Sequence, residues 1–343
     1  MLNTSLFASV RWTVALASLA FLSSCGAGGC PSCNVPTFTA PTLAPGATPT
    51  PPGFVPPPAT PTPTPTAPPT PVPGAACSQG GASTIALGAA APFALLGAGG
   101  ITNTGNMFVN YATGAVSVVP PFGTFNDDLI GAYPTTTVTG ITGANDADGA
   151  TAIYATGYNS NTAFLVAAQA AVTNAYTLAT AAHAGTITFL GGVDLSQASS
   201  GVNNCGPAGN AACGVGTLGA GVYNSASTMS ITAGPLTLDG GGNAQSVFIF
   251  QIGSALTMAA PGGNVILVNG ANSCNIYWAD LSGATLGGVA TGASFYGNIL
   301  APTGAIAIST AITTFKGRAL AGGAGITISA PTTGLTITGP GGN

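Results

Sequence analysis

Between Val247 and Ser329 the chain repeats itself, and this repetition limits the fold more than any other feature. Four successive segments align: VFIFQIGSALTMAAPGG from Val247, NVILVNGANSCNIYWADLSG from Asn264, ATLGGVATGASFYGNILAPTG from Ala284 and AIAISTAITTFKGRALAGGAG from Ala305. ITISAP begins a fifth at Ile326. Each opens on a short apolar or β-branched run, passes a corner of small residues, runs extended again and closes near Gly. A period of about twenty residues marks a solenoid of stacked coils. One coil cannot bury its apolar side alone, whereas a stack makes one continuous core. The expected fold is therefore mainly β, a β-solenoid, with the remaining segments serving as anchor, spacer, brace and cap.

Composition limits what such a stack can do. Only 3% of the 343 residues are charged, and the acids are seven Asp without a Glu, where an ordinary domain carries about a quarter charged residues. Beyond Arg11 the only cations are Lys316 and Arg318, too few for binding nucleic acid or an acidic membrane. General acids and bases are equally scarce. The surface has to be built from Thr, Ser, Asn, Gly and Ala, and the 52 Gly suit tight corners.

Residues 1–24 read as a signal peptide, with Arg11 before an apolar core at Trp12–Leu22. It runs Leu22-Ser23-Ser24-Cys25, which resembles a bacterial lipobox, so Cys25 is the expected lipidation site. Lipid chains at that end would give stable anchoring, the only contact expected with a membrane. Residues 25–76 form the anchor and stalk. Sixteen prolines lie between Pro36 and Pro73, and proline-rich chain stays extended at about 3.1 Å per residue, a reach on the order of 100 Å. The expected location is the bacterial cell envelope, lipid-anchored. Residues 77–343 form the folded domain. Cys205 and Cys213 bracket a short Gly/Asn/Ala loop and are the expected disulfide, which leaves Cys77 and Cys274 as a default pair. The cysteine spacings match no zinc pattern, and no metal is expected.

Within the domain, Thr84 to Gly105 reads as the first strands. Phe122 to Pro134, with Asp127 and Asp128, reads as an irregular cap over an open end of the stack. Asn145 to Gly149 reads as a turn rather than a calcium loop, because the Glu ligand is missing. Asn159 to His183 is the one helical stretch: Phe164, Ala168, Val172, Ala175 and Ala179 recur at helical spacing. Its apolar stripe is expected to lie along the solenoid. Lys316 and Arg318 alternate on one strand, so both should point to one side, with Asp239 and Asp280 as ion-pair candidates. Of Tyr277 and Trp278, adjacent in the repeats, one should be buried.

Several stretches, taken in order, resemble the ice-binding protein family of microbial antifreeze and ice-adhesion proteins, the discontinuous β-solenoid type. They are Leu87-Gly88, Ile101-Thr102-Asn103-Thr104-Gly105, Gly221-Val222-Tyr223, Leu236-Thr237-Leu238-Asp239-Gly240, Val247-Phe248-Ile249-Phe250-Gln251-Ile252-Gly253, Cys274-Asn275-Ile276-Tyr277-Trp278, Gly297-Asn298-Ile299-Leu300-Ala301 and Gly317-Arg318-Ala319-Leu320. The resemblance implies an irregular right-handed parallel β-helix of triangular cross-section with one long α-helix alongside, and N-terminal strands that close the stack beside C-terminal coils. It further implies a monomer that binds an ice crystal surface through one flat face, without cofactor or catalysis. Some members carry a T-A/G-x-T/N motif on that face. Thr310-Ala311-Ile312-Thr313 matches it, Thr291-Gly292-Ala293-Ser294 nearly does, and Ser254-Ala255-Leu256-Thr257 is taken as its place in an earlier repeat. The candidate ice-binding residues are therefore Thr291, Ser294, Thr310, Thr313, Ser254 and Thr257. Residues i and i+3 of a straight strand point to opposite sides, so Thr310 and Thr313 both face out only if the chain bends or bulges between them.

Two other functions compete. A surface adhesin or structural module on the same fold would show a concave, aromatic-lined patch. A polysaccharide lyase or hydrolase would need clustered acids and bases on one face, which this composition does not supply.

Overall fold

The computed structural model describes residues 85–110, 117–119, 123–125, 129–141, 153–155, 162–199, 205–259, 262–287 and 292–339. Cys25, the Pro/Thr stretch, Cys77, Asp127, Asp128, the 145–149 turn and Thr291 lie outside them. The chain winds into a stack of coils with three parallel walls. The first wall, in spatial order, comprises Ile153–Tyr154, Leu129–Ala132, Phe93–Gly97, the ends of Ile312–Ala321 and Ala293–Ala301, then Ile276–Asp280, Phe248–Ile252, Gly221–Ser225 and Ile187–Phe189. The second comprises Val193–Asp194, Met229–Ile231, Leu256–Met258, Gly283–Leu286, Ala305–Ile308, Ile326–Ser329, Ile101–Thr104 and Val138–Thr139. The third holds Thr217–Gly219, Pro235–Asp239 and Asn264–Val268. It continues through the first halves of Ala293–Ala301 and Ile312–Ala321 to Leu335–Thr338 and Met107–Asn110.

Coil order departs from sequence order, as the resemblance implied. Phe93–Gly97 pairs with the strand ending at Ala321, and Ile101–Thr104 pairs with Ile326–Ser329. The N-terminal strands thus add coils beyond the C-terminal one. A uniform period near twenty holds only there. Ala307 pairs with Thr327, twenty residues on, but Thr257 pairs with Thr285, twenty-eight residues on. The extra residues sit at the corner between the third and first walls, for example Gly240 to Val247 and Asn269 to Asn275. Leu129–Ala132 is also no irregular cap, because it pairs in parallel with Phe93–Gly97 as a rung of the first wall.

Where that corner carries no insertion, glycine makes the turn. Ala293–Ala301 and Ile312–Ala321 each cross from the third wall to the first without a break. Gly297 (φ 116°) and Gly317 (φ 153°) sit at the crossing. A Cβ on Gly317 would lie 1.9 Å from the carbonyl oxygen of Gly297, so only glycine allows the rungs to bend in step. The same bend separates Lys316 from Arg318. Lys316 stays half-exposed on the third wall, while Arg318 is 1% exposed at the first wall. Alternation itself holds, with Phe315 and Ala319 inside the stack and Arg318 turned to the outer strap at Ala91, but the bend places the two cations on different walls. The candidate partners Asp239 and Asp280 both accept from protein N–H groups instead: Asp239 from Gly206, Gly241 and the Asn269 side chain, Asp280 from Leu256, Ser282 and Gly283.

Inside the stack, aromatic rings follow one another along the axis. Phe250 lies against Trp278 with ring centroids 4.0 Å apart, and Tyr223, Phe295 and Phe315 extend the column. Such pairs add about 0.5–1.5 kcal/mol each beyond area burial. The Trp278 indole N–H donates to the Tyr296 carbonyl. Tyr277, its neighbour, is also buried, on the outer side of the same wall. Trp278 is covered by the inside of the stack, and Tyr277 by a helix that lies over the outer side.

The helix, α1 (Thr162–Thr180), begins and ends slightly inside the expected span. Phe164, Leu165, Ala168, Val172, Ala175 and Ala179 are buried against Phe93, Tyr154, Ile249, Tyr277, Leu300 and Leu320. Its length suits its task. At about 1.5 Å per residue its 19 residues span about 28 Å. From Ile153–Tyr154 to Phe248–Ile252 the wall has six strand intervals, about 29 Å at the usual spacing. At the far end, Gln251 Nε2 donates to the Ala179 and Ala181 carbonyls, satisfying acceptors the helix leaves open.

Candidate functional site

With the first wall under α1, the second is the open wall. Its strands alternate strictly. Ile101, Ile326, Ile306, Ala284, Leu256 and Met229 point inward and are almost fully buried. The next residue of each strand points out, and the register aligns these residues into one file: Asp194, Ser230, Thr257, Thr285, Ala307, Thr327, Thr102 and Thr139. Seven intervals at about 4.8 Å give a file about 34 Å long. Two residues further along each strand, about 6.6 Å away, a second file holds Thr232, Ala259, Gly287, Ser309, Ser329 and Thr104. The result is a grid of methyls and hydroxyls with almost no variation in side-chain length.

Regularity distinguishes this wall. Its strand pairs run in unbroken register, whereas a shift interrupts pairing on the first wall between Phe93 and Leu95 and on the third between Ala293 and Ser294. At one end of the file, the Thr139 hydroxyl donates to that of Thr102. At the other end stands Asp194, the only charged residue in the two files. Burial works against its ionisation, but hydrogen bonds from Ser196 and Thr232 outweigh this and hold it below the usual carboxylate range. The Ala233 N–H donates to it as well. The charge is thus turned toward backbone and hydroxyl donors of its own corner.

The third wall is rougher. Phe108, Thr336, Thr314 and Ser294 align on its outer side, with Tyr296, Lys316 and Thr338 beside them. Phe108 and Ile266 stand 48% and 38% exposed. Lys316 stands on that wall, and burial pulls its ammonium below the usual lysine range.

The candidates from sequence fall in several places. Thr257 stands in the file of the open wall. Ser254 lies at the corner before that strand, so Ser254-Ala255-Leu256-Thr257 occupies a different corner from Thr310-Ala311-Ile312-Thr313. Thr310 is exposed in the turn leaving the open wall. Thr313 is the extra residue of a bulge, because Ala293 pairs with Ile312 while Ser294 pairs with Thr314. That bulge lets Thr310 and Thr313 both face outward despite their spacing. Ser294 stands on the third wall. Thr285, Thr327, Thr102, Thr139 and Ser230 are not among the residues that sequence reasoning singles out. Their signal is an apolar–hydroxyl–apolar triplet, as in Met229-Ser230-Ile231, Ala284-Thr285-Leu286 and Ile326-Thr327-Ile328.

The Cys205–Cys213 disulfide is present. It closes the loop that packs on Gly241 and Gly242 at the corner away from the open wall.

Comparison with known proteins agrees with this architecture. Over 85 residues the chain is 47% identical to ice-binding protein 1 of Shewanella frigidimarina, covering 25% of this chain and 9% of that protein. Over 112 residues it is 42% identical to an ice-binding protein of a Nostoc strain, covering 33% of this chain and 39% of that one. The chain thus spans less than half the length of either relative. A solved domain of the Shewanella ice-binding protein superposes with a TM-score of 0.57 at 26% identity, over 75% of this chain and 98% of that domain. The model of the ice-binding-like family matches residues 95–333, which takes in strands of all three walls together with α1, and the chain is accordingly a member of that family.

Proposed function

We propose that this protein adsorbs to ice through the open wall, by the file from Ser230 to Thr139 and the second file beside it. The observation that carries this is the unbroken register of hydroxyl-bearing and methyl-bearing side chains over six strand pairs. Hydroxyls at fixed spacing anchor water to the wall, and the methyls between them let that water order without competing bonds. A charge would organise water around itself, and these files hold only Asp194, already engaged by its own corner. Strands braced by an aromatic column and α1 are rigid before binding, so little further ordering is required.

We propose further that the chain is displayed on a bacterial surface through a lipid at Cys25 and the Pro/Thr stalk, where ice binding would hold cells on ice or limit ice growth near them. The family and the composition favour a binding protein over an enzyme. Against an adhesin with another ligand, both Tyr277 and Trp278 are buried, so that pair forms no aromatic platform.

The test is ice-affinity partitioning of the full chain. Thr285→Tyr or Thr327→Tyr, each placing a large ring mid-file, should cut incorporation into ice at least about ten-fold. Thr314→Tyr on the third wall should leave it within two-fold. The reverse pattern would transfer the site to the third wall, and exclusion of the unaltered protein from ice would overturn the reading.

A further inference from the structure

The way the N-terminal chain enters the solenoid has a mechanical meaning. Ile85 is hydrogen-bonded through its backbone to Tyr277, in the rung Ile276–Asp280. Leu87, Ala90 and Ala91 are then buried with Leu300, Leu320 and the inner stripe of α1. Ala91 accepts from Arg318, and Phe93 begins the strand beyond that rung. The incoming chain therefore crosses three rungs of the first wall before taking its own place in the stack. It starts at Tyr277, three residues along the chain from Cys274, which lies at the corner between the third and first walls, the edge opposite the open wall.

Cys274 is disulfide-bonded, and Cys205 and Cys213 are bonded to each other. The cysteines left to serve it are Cys25, Cys30, Cys33 and Cys77. Cys77 is eight residues from Ile85 and Cys33 fifty-two. Loop closure alone favours the nearer one by about fifteen-fold, and eight residues reach about 28 Å.

We propose that Cys77 is the partner of Cys274, and that this bond staples the incoming chain to a middle rung on the edge opposite the open wall, so that a pull on the N-terminus is borne by that rung and not by the first strands. Without the staple, tension would strip away the strap of residues 85–91 and then Phe93–Gly97. With it, the 196 residues between the two cysteines are shielded from the load. The bond forms when two thiols give up two protons and two electrons to a disulfide oxidant, itself reduced to a dithiol, in an oxidising compartment. The proposal concerns load and is independent of what the open wall binds.

Single-molecule pulling on the full chain by its two ends tests this. The unaltered protein should release a contour length about 700 Å shorter than Cys274→Ser, and equal lengths would overturn the proposal. Peptide mapping of the unaltered protein without reductant provides a reading that needs no variant. It should yield a Cys77–Cys274 cross-link, and a link from Cys274 to Cys30, Cys33 or a second copy would overturn it.

Discussion

Arg318 donates its Nε hydrogen to the carbonyl oxygen of Ala91 at 2.6 Å, joining positions 227 residues apart. Its Nη1 donates to Asn298 Oδ1, and Asn298 Nδ2 donates in turn to the Cys274 and Ile276 carbonyls. In a protein nearly free of charge, this buried cation ties the incoming chain to the rungs it crosses. Arg318→Met keeps much of the volume but strands at least two buried acceptors, each costing about 1–3 kcal/mol. Urea unfolding should show a loss of about 2–5 kcal/mol. A loss under about 0.5 kcal/mol would mean the network contributes little.

Gly317 should tolerate no side chain. Its positive φ opposes Gly317→Ala, and so does the Gly297 carbonyl oxygen, which an added Cβ would approach to 1.9 Å. The substitution should cost about 3 kcal/mol or more. At Gly214 a Cβ meets nothing within 4 Å, so Gly214→Ala should leave thermal stability unchanged or raise it by up to about 1 kcal/mol. Equal effects at the two positions would contradict the role of the bend.

Stability should depend on pH mainly through Asp280. Burial pushes its carboxyl up to about 7, against the opposing effect of three backbone N–H donors. An unfolded Asp ionises near 3.9. Between these values the native state binds the extra proton, so unfolding free energy should fall as pH rises through that window and level off above it. Asp194 acts with the opposite sign: its lowered pKa adds stability that is lost as the medium becomes strongly acidic. Denaturation from pH 3 to 8 should therefore show a maximum in mildly acidic solution. The decline toward neutrality should vanish in Asp280→Asn, and a decline that persists there would assign it to another group.

Trp278 sits mid-column and is fully buried. Trp278→Ala should cost about 3–5 kcal/mol through the cavity it leaves. Trp278→Phe should cost less, since the ring contact with Phe250 survives while the bond to Tyr296 is lost. Chemical denaturation measures both, and near-ultraviolet circular dichroism would report the disturbed column. Equal costs would show that the stacking contributes nothing beyond the hydrogen bond.

Much of the fold is legible in the sequence because its signals are local. Alternation along single strands marks the rungs, and the spacing of Phe164, Ala168, Val172, Ala175 and Ala179 marks α1 and its buried stripe. The Cys205–Cys213 pair is legible because eight residues leave little room for other geometry. The departures share one cause. A straight strand would put Lys316 and Arg318 on one wall, and the bend at Gly317 parts them onto two. The segment through Leu129–Ala132 looks irregular because its partner, Phe93–Gly97, lies outside its own neighbourhood. Ser254 to Thr257 matches Thr310 to Thr313 only when a uniform period is laid over coils of unequal length.

By itself, the sequence determined that apolar and small polar residues alternate, that charge is nearly absent, and that a stack of short strands is the way to bury such a pattern. These follow from what each residue does to its immediate neighbours. Which hydroxyls form one file was decided only by the tertiary structure. Thr102 and Thr327 lie 225 positions apart and meet because an N-terminal strand adds to a C-terminal coil. Hydrogen-bonded register between rungs is a property of the assembled stack, and so is the covering of one wall by α1 that leaves another open.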